Sequence, residues 1–204
     1  MPDVLIPAER VERWFDNFAA RHGQTRLHVR AGALHGEAAD GSTALARLPF
    51  DADYDGPADP AGLAAAAVSP PSWGVLLVRK GGFAVARLEG DDLVEHKIGQ
   101  RHVQGRTKAG GQSQQRFSRR RDNQAREAYD AATEHAVRVL EPGVDVLVTG
   151  GDRSAVRHCL DDPRLQRCVG RVDTRWIPTP DPRRGVLDRA IQDAAAVAVT
   201  VTNS

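Results

Sequence analysis

The chain has 204 residues, 41% hydrophobic and 27% charged, which suits one sizeable core or one core with a small appended subdomain. No apolar run approaches the ~18 residues that span a bilayer, and the opening Met1-Pro2-Asp3-Val4-Leu5-Ile6-Pro7 lacks a signal peptide's basic and apolar regions, so a cytoplasmic, non-membrane protein is expected. The net charge of +1 hides an asymmetry: residues 1–62 hold six arginines against ten carboxylates (−4), the remainder 22 basic against 17 acidic residues (+5).

In chain order, Val11, Trp14, Phe15, Phe18 and Ala19 recur at helical spacing and predict a helix over residues 11–20. Short strands are expected at Arg26–Arg30 and Thr43–Leu48, a loop at Asp51–Pro60 and a brief helix at Ala64–Val68. Ser69-Pro70-Pro71 then marks a boundary, giving an N-terminal α+β extension over 1–68 and a second domain over 69–204. Trp73–Val78, Phe83–Leu88 and Leu93–Ile98 predict a three-stranded meander, because Arg79-Lys80-Gly81-Gly82 and Glu89-Gly90-Asp91-Asp92 supply hairpin turns. After a basic loop over 99–112, the stretch from Ser113 to Leu140 has no Gly or Pro. It places Phe117, Ala125, Ala128, Ala132, Ala136 and Val139 on one helical face. Val144–Val148 reads as a buried strand, Thr149-Gly150-Gly151 as a strand-to-helix turn without dinucleotide or P-loop spacing, and Asp152 as the cap of a helix ending at Leu160. A strand at Cys168–Ile177 and a closing helix at Asp188–Val199 complete a β-β-β-α-β-α-β-α order, a mixed α/β sheet packed by helices.

Two cysteines, Cys159 and Cys168, are too few for a disulfide framework or a thiolate zinc site, and the seven histidines show no paired ligand spacing. Both cysteines read as small buried hydrophobes, and neither a metal nor a cofactor is expected. Trp14, Trp73 and Trp176 read as core or edge packing.

The segment from Arg101 to Arg121 carries Arg101, Arg106, Lys108, Arg116, Arg119, Arg120 and Arg121 and no carboxylate. Seven uncompensated positive charges repel one another, so they point to a polyanionic partner, here nucleic acid. Within it, Gly110-Gly111 allows close approach of the backbone to another molecule. Ser113 is suited to cap the following helix, whose free amides and positive dipole end would lie beside Gln112. Arg116, Arg119, Arg120 and Asn123 share one helical face.

Gly110-Gly111-Gln112-Ser113, followed by Arg116-Phe117 and the arginine-rich helix, resembles the catalytic middle domain of eukaryotic and archaeal class I peptide release factors, as does the preceding meander. With a separate N-terminal region and no decoding domain, the chain resembles the Vms-type release-factor-like family over roughly Trp73 to Val199. This resemblance implies a release-factor middle-domain fold of ribonuclease H-like architecture. It also implies hydrolysis of peptidyl-tRNA to free nascent chains from stalled ribosomes or split large subunits, with Gly110, Gly111 and Gln112 at the reacting ester. The implied partners are the large ribosomal subunit, its rRNA and peptidyl-tRNA; the sequence leaves the oligomeric state open, with a monomer expected. Eukaryotic members of the Vms-type family carry Gly-Ser-Gln at this tip, a register in which Gln114 would take the place of Gln112. A glutamine amide does not titrate near neutral pH, so its role would be to place water and stabilise developing charge. Two other readings stand beside this one. A tRNA 3′-end nuclease would need clustered carboxylates, for which Asp145, Asp152 and Asp173 are available; a non-catalytic ribosome-binding protein would need only the basic helix.

Overall fold

The computed structural model describes the backbone of residues 3–100 and 113–204 and the side chains of 3–100 and 126–204. The chain divides into two compact units, Met1–Ser69 together with Ile191–Ser204, and Pro70–Ala190.

In the first unit, β1 (Val4–Ile6), β2 (Thr25–Arg30), β3 (Ala33–Ala38), β4 (Thr43–Arg47) and β10 (Val197–Thr202) form an antiparallel sheet in the order β1-β10-β4-β3-β2. Helix α1 (Val11–His22) buries Val11, Phe15 and Phe18, the stripe read from the sequence, in a core with Leu34, Ala46 and Val199. The short α2 (Pro60–Ala66) starts earlier than expected, because the Asp59 carboxylate caps it by accepting from the Gly62 N–H at 2.7 Å and Pro60 sits in its first turn.

The C-terminal segment departs from the expected 69–204 domain and from the expected closing helix. Helix α6 (Arg184–Ala194) ends five residues short of Val199, and Val197–Thr202 is a strand between β1 and β4 of the first sheet. Val197, Val199, Thr200, Val201 and Thr202 are β-branched, which lowers their helix propensity and suits them to a half-buried pleated surface.

The second unit is built on β5 (Trp73–Arg79), β6 (Gly82–Glu89), β7 (Asp92–Gln100), β8 (Val146–Gly151) and β9 (Val172–Ile177), in the order β7-β6-β5-β8-β9. The first three form the expected antiparallel meander, and β8 and β9 run parallel to β5. Residues Trp73–Val78 of the central β5 are all buried, as a strand covered on both faces requires. This is the mixed α/β sheet packed by helices that the element order predicts. Helix α3 (Ser113–Val139) lays Ala128, Tyr129, Ala132, Ala136 and Val139 into a core with Leu76, Val78, Phe83 and Val85. Two boundaries differ from expectation. Residues 166–169 form a short helix, α5 (Gln166–Val169), before β9, and Thr149-Gly150-Gly151 ends β8 rather than forming a turn. Gly150 is needed inside the strand because a Cβ there would run into the Ile177 carbonyl oxygen of β9.

Helix α4 (Arg153–Leu160) starts at Asp152, whose carboxylate accepts from the Ser154 N–H at 3.0 Å and the Ser154 hydroxyl at 2.7 Å. The hydroxyl, the larger cause, and the backbone amides hold its pKa below the ordinary value. Asp152→Ala is expected to cost about 1 kcal/mol and to lower the melting temperature by about 2–4 °C. Asp152→Asn should restore most of it in a thermal melt; an unchanged Asp152→Ala melt would contradict the cap. Both cysteines are buried, and desolvation pushes the Cys159 thiol up to about 11. In the native protein neither should react with a disulfide reagent at about pH 8. Reaction at the rate of a free thiol would contradict this packing.

Candidate functional site

The topology fixes where the glycine-rich loop begins and ends. Strand β7 finishes at Gln100, paired with Gly82, and the next described residue is Ser113, the first of α3. Gly82 also pairs with Arg79, the last residue of β5, and β8 finishes at Gly151 in register with Val78. The loop therefore departs from the edge strand at the end of the sheet where the parallel strands finish. At the other end of α3, the chain passes Gly143 and enters β8 at Val146, opposite Trp73 at the start of β5. Helix α3 thus runs antiparallel to β5, and its amino end points the same way as the carboxyl ends of β5 and β8.

At the usual rise the 27 residues of α3 extend about 40 Å. Burial of its described side chains begins at Ala128, with Arg126 and Glu127 exposed. The helical backbone continues about 22 Å upstream of Ala128 to Ser113. At about 100° per residue, positions 116, 119, 120 and 123 fall on the side opposite the core-facing stripe of Ala128, Ala132, Ala136 and Val139. Positions 114, 117 and 121 continue that stripe instead. The sequence grouped Arg121 with the other arginines by charge alone; the helical register separates it from Arg116, Arg119 and Arg120.

Of the residues proposed from sequence, Arg101, Arg106, Lys108, Gly110, Gly111 and Gln112 lie outside the described residues, and Gln114, Arg116, Arg119, Arg120 and Arg121 are placed by the backbone of α3 only. Elsewhere in the second unit arginines sit with carboxylates: Arg79 with Asp181 at 3.4 Å, Arg87 with Glu89 at 2.6 Å, Arg138 with Glu95 at 3.7 Å, and Arg184 with Asp188 at 2.8 Å. Arg164 bridges Glu134 of α3 at 2.5 Å and Asp162 at 2.8 Å, and its guanidinium holds the Asp162 carboxyl down at about 2. Exposed pairs of this kind contribute little stability individually. Their interest is the contrast with residues 101–121, where the sequence supplies no acidic residue at all.

The carboxylates that a nuclease would need are kept apart. Asp145 precedes β8 and accepts from the Ser72 N–H at 3.3 Å, whereas Asp152 follows β8 and caps α4. The six-residue strand between them spans about 20 Å. Asp173 is buried in β9 and accepts from the Arg175 N–H at 2.7 Å. These three cannot share one ion, and no group of three or more metal-binding side chains forms among the described residues. Sequence reasoning also treated Trp176 as packing alone. It is only partly buried, and the Arg153 guanidinium lies 4.4 Å above its ring.

The chain belongs to the family described as Actinobacteria/chloroflexi VLRF1 release factor, whose model matches residues 71–200. Among solved structures it is similar to the archaeal translation termination factor aRF1, at 14% identity over 61% of this chain, with a TM-score of 0.44. It is similar also to a structure described as an archaeal protein, at 14% identity over 74% of this chain, with a TM-score of 0.37. The chain spans 37% and 47% of the lengths of those two proteins. No curated protein sequence matches it. No helix among the described residues is long and apolar enough to cross a membrane.

Proposed function

We propose that this protein hydrolyses peptidyl-tRNA on stalled ribosomes or large subunits, with Gly110-Gly111-Gln112 at the reacting ester. The observation that carries the reading is the joining of two features. Gly110-Gly111-Gln112 stands in sequence directly before Ser113, the first residue of the 27-residue α3 in a release-factor-family chain, and positions 116, 119 and 120 fall on that helix's side opposite the core. The glycines let the tip enter a crowded RNA cavity, and the cationic stem grips phosphates and so sets the tip's position.

In the reaction, water attacks the carbonyl carbon of the ester, the bond to the ribose oxygen breaks, and the proton lost by water ends on that oxygen. Gln112 does not titrate near neutral pH, so it acts by holding water and by donating hydrogen bonds to the oxygen that gains charge. Its backbone N–H, next to the start of α3, can serve the second task whatever the side chain. Holding water against the ester contributes through proximity. Partners of the reaction are the large subunit, its rRNA and the peptidyl-tRNA.

The test is release of labelled peptide from purified peptidyl-tRNA–large-subunit complexes, with Gln112 and Gln114 replaced separately. Gln112→Ala should slow release while Gln114→Ala, in the first turn of α3, leaves it near wild type. The reverse pattern would move the reacting glutamine to Gln114. Full activity in both variants would remove the proposal.

A further inference from the structure

Away from the loop, on the opposite edge of the second unit's sheet, α4, α5 and β9 line an open cavity of about 400 Å³. That volume is within the range of small-ligand sites. Aliphatic side chains of α4 and α5 contribute to its wall, and Trp176 and the guanidinium-bearing residues Arg153 and Arg157 line it as well. The two arginines are four residues apart on α4 and therefore share a face. Arg153 lies over Trp176 at 4.4 Å, and both side chains keep solvent exposure. Arg157 pairs with no carboxylate among the described residues, unlike Arg79, Arg87, Arg138, Arg164 and Arg184.

The strand beside the cavity is irregular. Leu147 pairs with Val172 and Thr149 with Trp176, so β9 advances four residues while β8 advances two. The extra residues form a bulge held by the Arg175 N–H donating to the Asp173 carboxylate. Bulges recur beside binding sites because they re-aim side chains that a regular strand would alternate. Here the bulge brings Asp173 to the cavity wall together with Trp176. Asp161 also lines the cavity. Two carboxylates make it a poor receptor for a bare anion. They suit a ligand that carries both a phosphate and a planar ring with amino hydrogens.

We propose that this cavity binds a nucleotide: the base stacks on the Arg153–Trp176 pair and offers an exocyclic amino group to Asp173, and Arg157 meets the phosphate. Guanidinium planes and aromatic rings are the surfaces on which unpaired bases stack, and a guanidinium matches phosphate geometry. The same chemistry is presented by a free mononucleotide and by an unpaired residue of an RNA strand. The site is independent of the release reaction, since none of its residues belongs to the loop or to α3.

The test follows the Trp176 indole N–H by nitrogen-resolved NMR on the full chain, with the resonance assigned from Trp176→Phe. Adenosine monophosphate should shift it saturably below about 10 mM, and inorganic phosphate should not. Arg157→Ala should weaken mononucleotide binding by about tenfold without affecting the spectrum of the free protein, and uridine monophosphate, which lacks the amino group, should bind more weakly. A short oligoribonucleotide that binds tighter than the mononucleotide assigns the site to an RNA strand, and equal or weaker binding assigns it to a free nucleotide; both uphold the site. No saturable shift with either, a shift reproduced by phosphate alone, or binding unchanged in both Arg153→Ala and Arg157→Ala would overturn it. Peptide release is not read in this experiment, so its failure leaves the proposed activity standing.

Discussion

Gly111→Val is expected to lower peptide release by at least about 100-fold, since an ångström of misplacement at a reacting centre costs that much. A β-branched side chain here restricts the backbone angles open to glycine and adds bulk where the tip must approach RNA. Gln112→Ala is expected to be milder, at about tenfold, because it removes a side-chain donor and leaves the backbone N–H that faces the same developing charge. Both substitutions should leave binding to the large subunit unchanged, because the basic residues that flank the tip, Arg101, Arg106 and Lys108 before it and Arg116, Arg119 and Arg120 after it, are retained. Single-turnover release, measured beside affinity, separates the two effects. Loss of affinity in parallel with loss of release would show that the tip anchors the protein rather than promoting the reaction.

The second large effect concerns the stem. Replacing Arg116, Arg119 and Arg120 together by alanine should reduce the slope of log affinity against log salt by about three. Near physiological salt, affinity for the large subunit should fall by about 100-fold. Arg121→Ala should lower the slope by less than one unit, because that position continues the core-facing stripe of α3. Alanine is a strong helix former, so these changes do not weaken α3 through propensity. An equal salt slope for wild type and the triple variant would show that this side of the helix meets no phosphate.

Where the physics is local, the sequence was readable. Arg79–Gly82 and Glu89–Asp92 announce hairpins, and the meander followed. The alanine stripe of α3 and the acidic cap of α4 were equally plain, since a helical period and a capping carboxylate each act within a few residues. Strand β3, Ala-Leu-His-Gly-Glu-Ala, was missed because its residues have little strand preference of their own; it is held by pairing with β2 on one side and β4 on the other. Strand β10 was missed although Val197, Val199, Thr200, Val201 and Thr202 favour a strand. Its partners Ala44 and Ala46 lie about 150 residues away in sequence, and nothing beside Val197 announces them. The charge run and the glycine pair are local signals in the sequence, and the roles given to them stand as the proposal above. The cavity at Trp176 is not legible there, because it depends on the unequal advance of β8 and β9 and on residues of α4 and α5 meeting β9 across the fold.

The most direct measurement analyses both products after the protein meets a stalled peptidyl-tRNA–large-subunit complex. Ester hydrolysis yields a peptide with a free carboxylate and a tRNA of full length that still ends in its terminal adenosine. A shortened tRNA, or peptide that stays attached, would contradict the account.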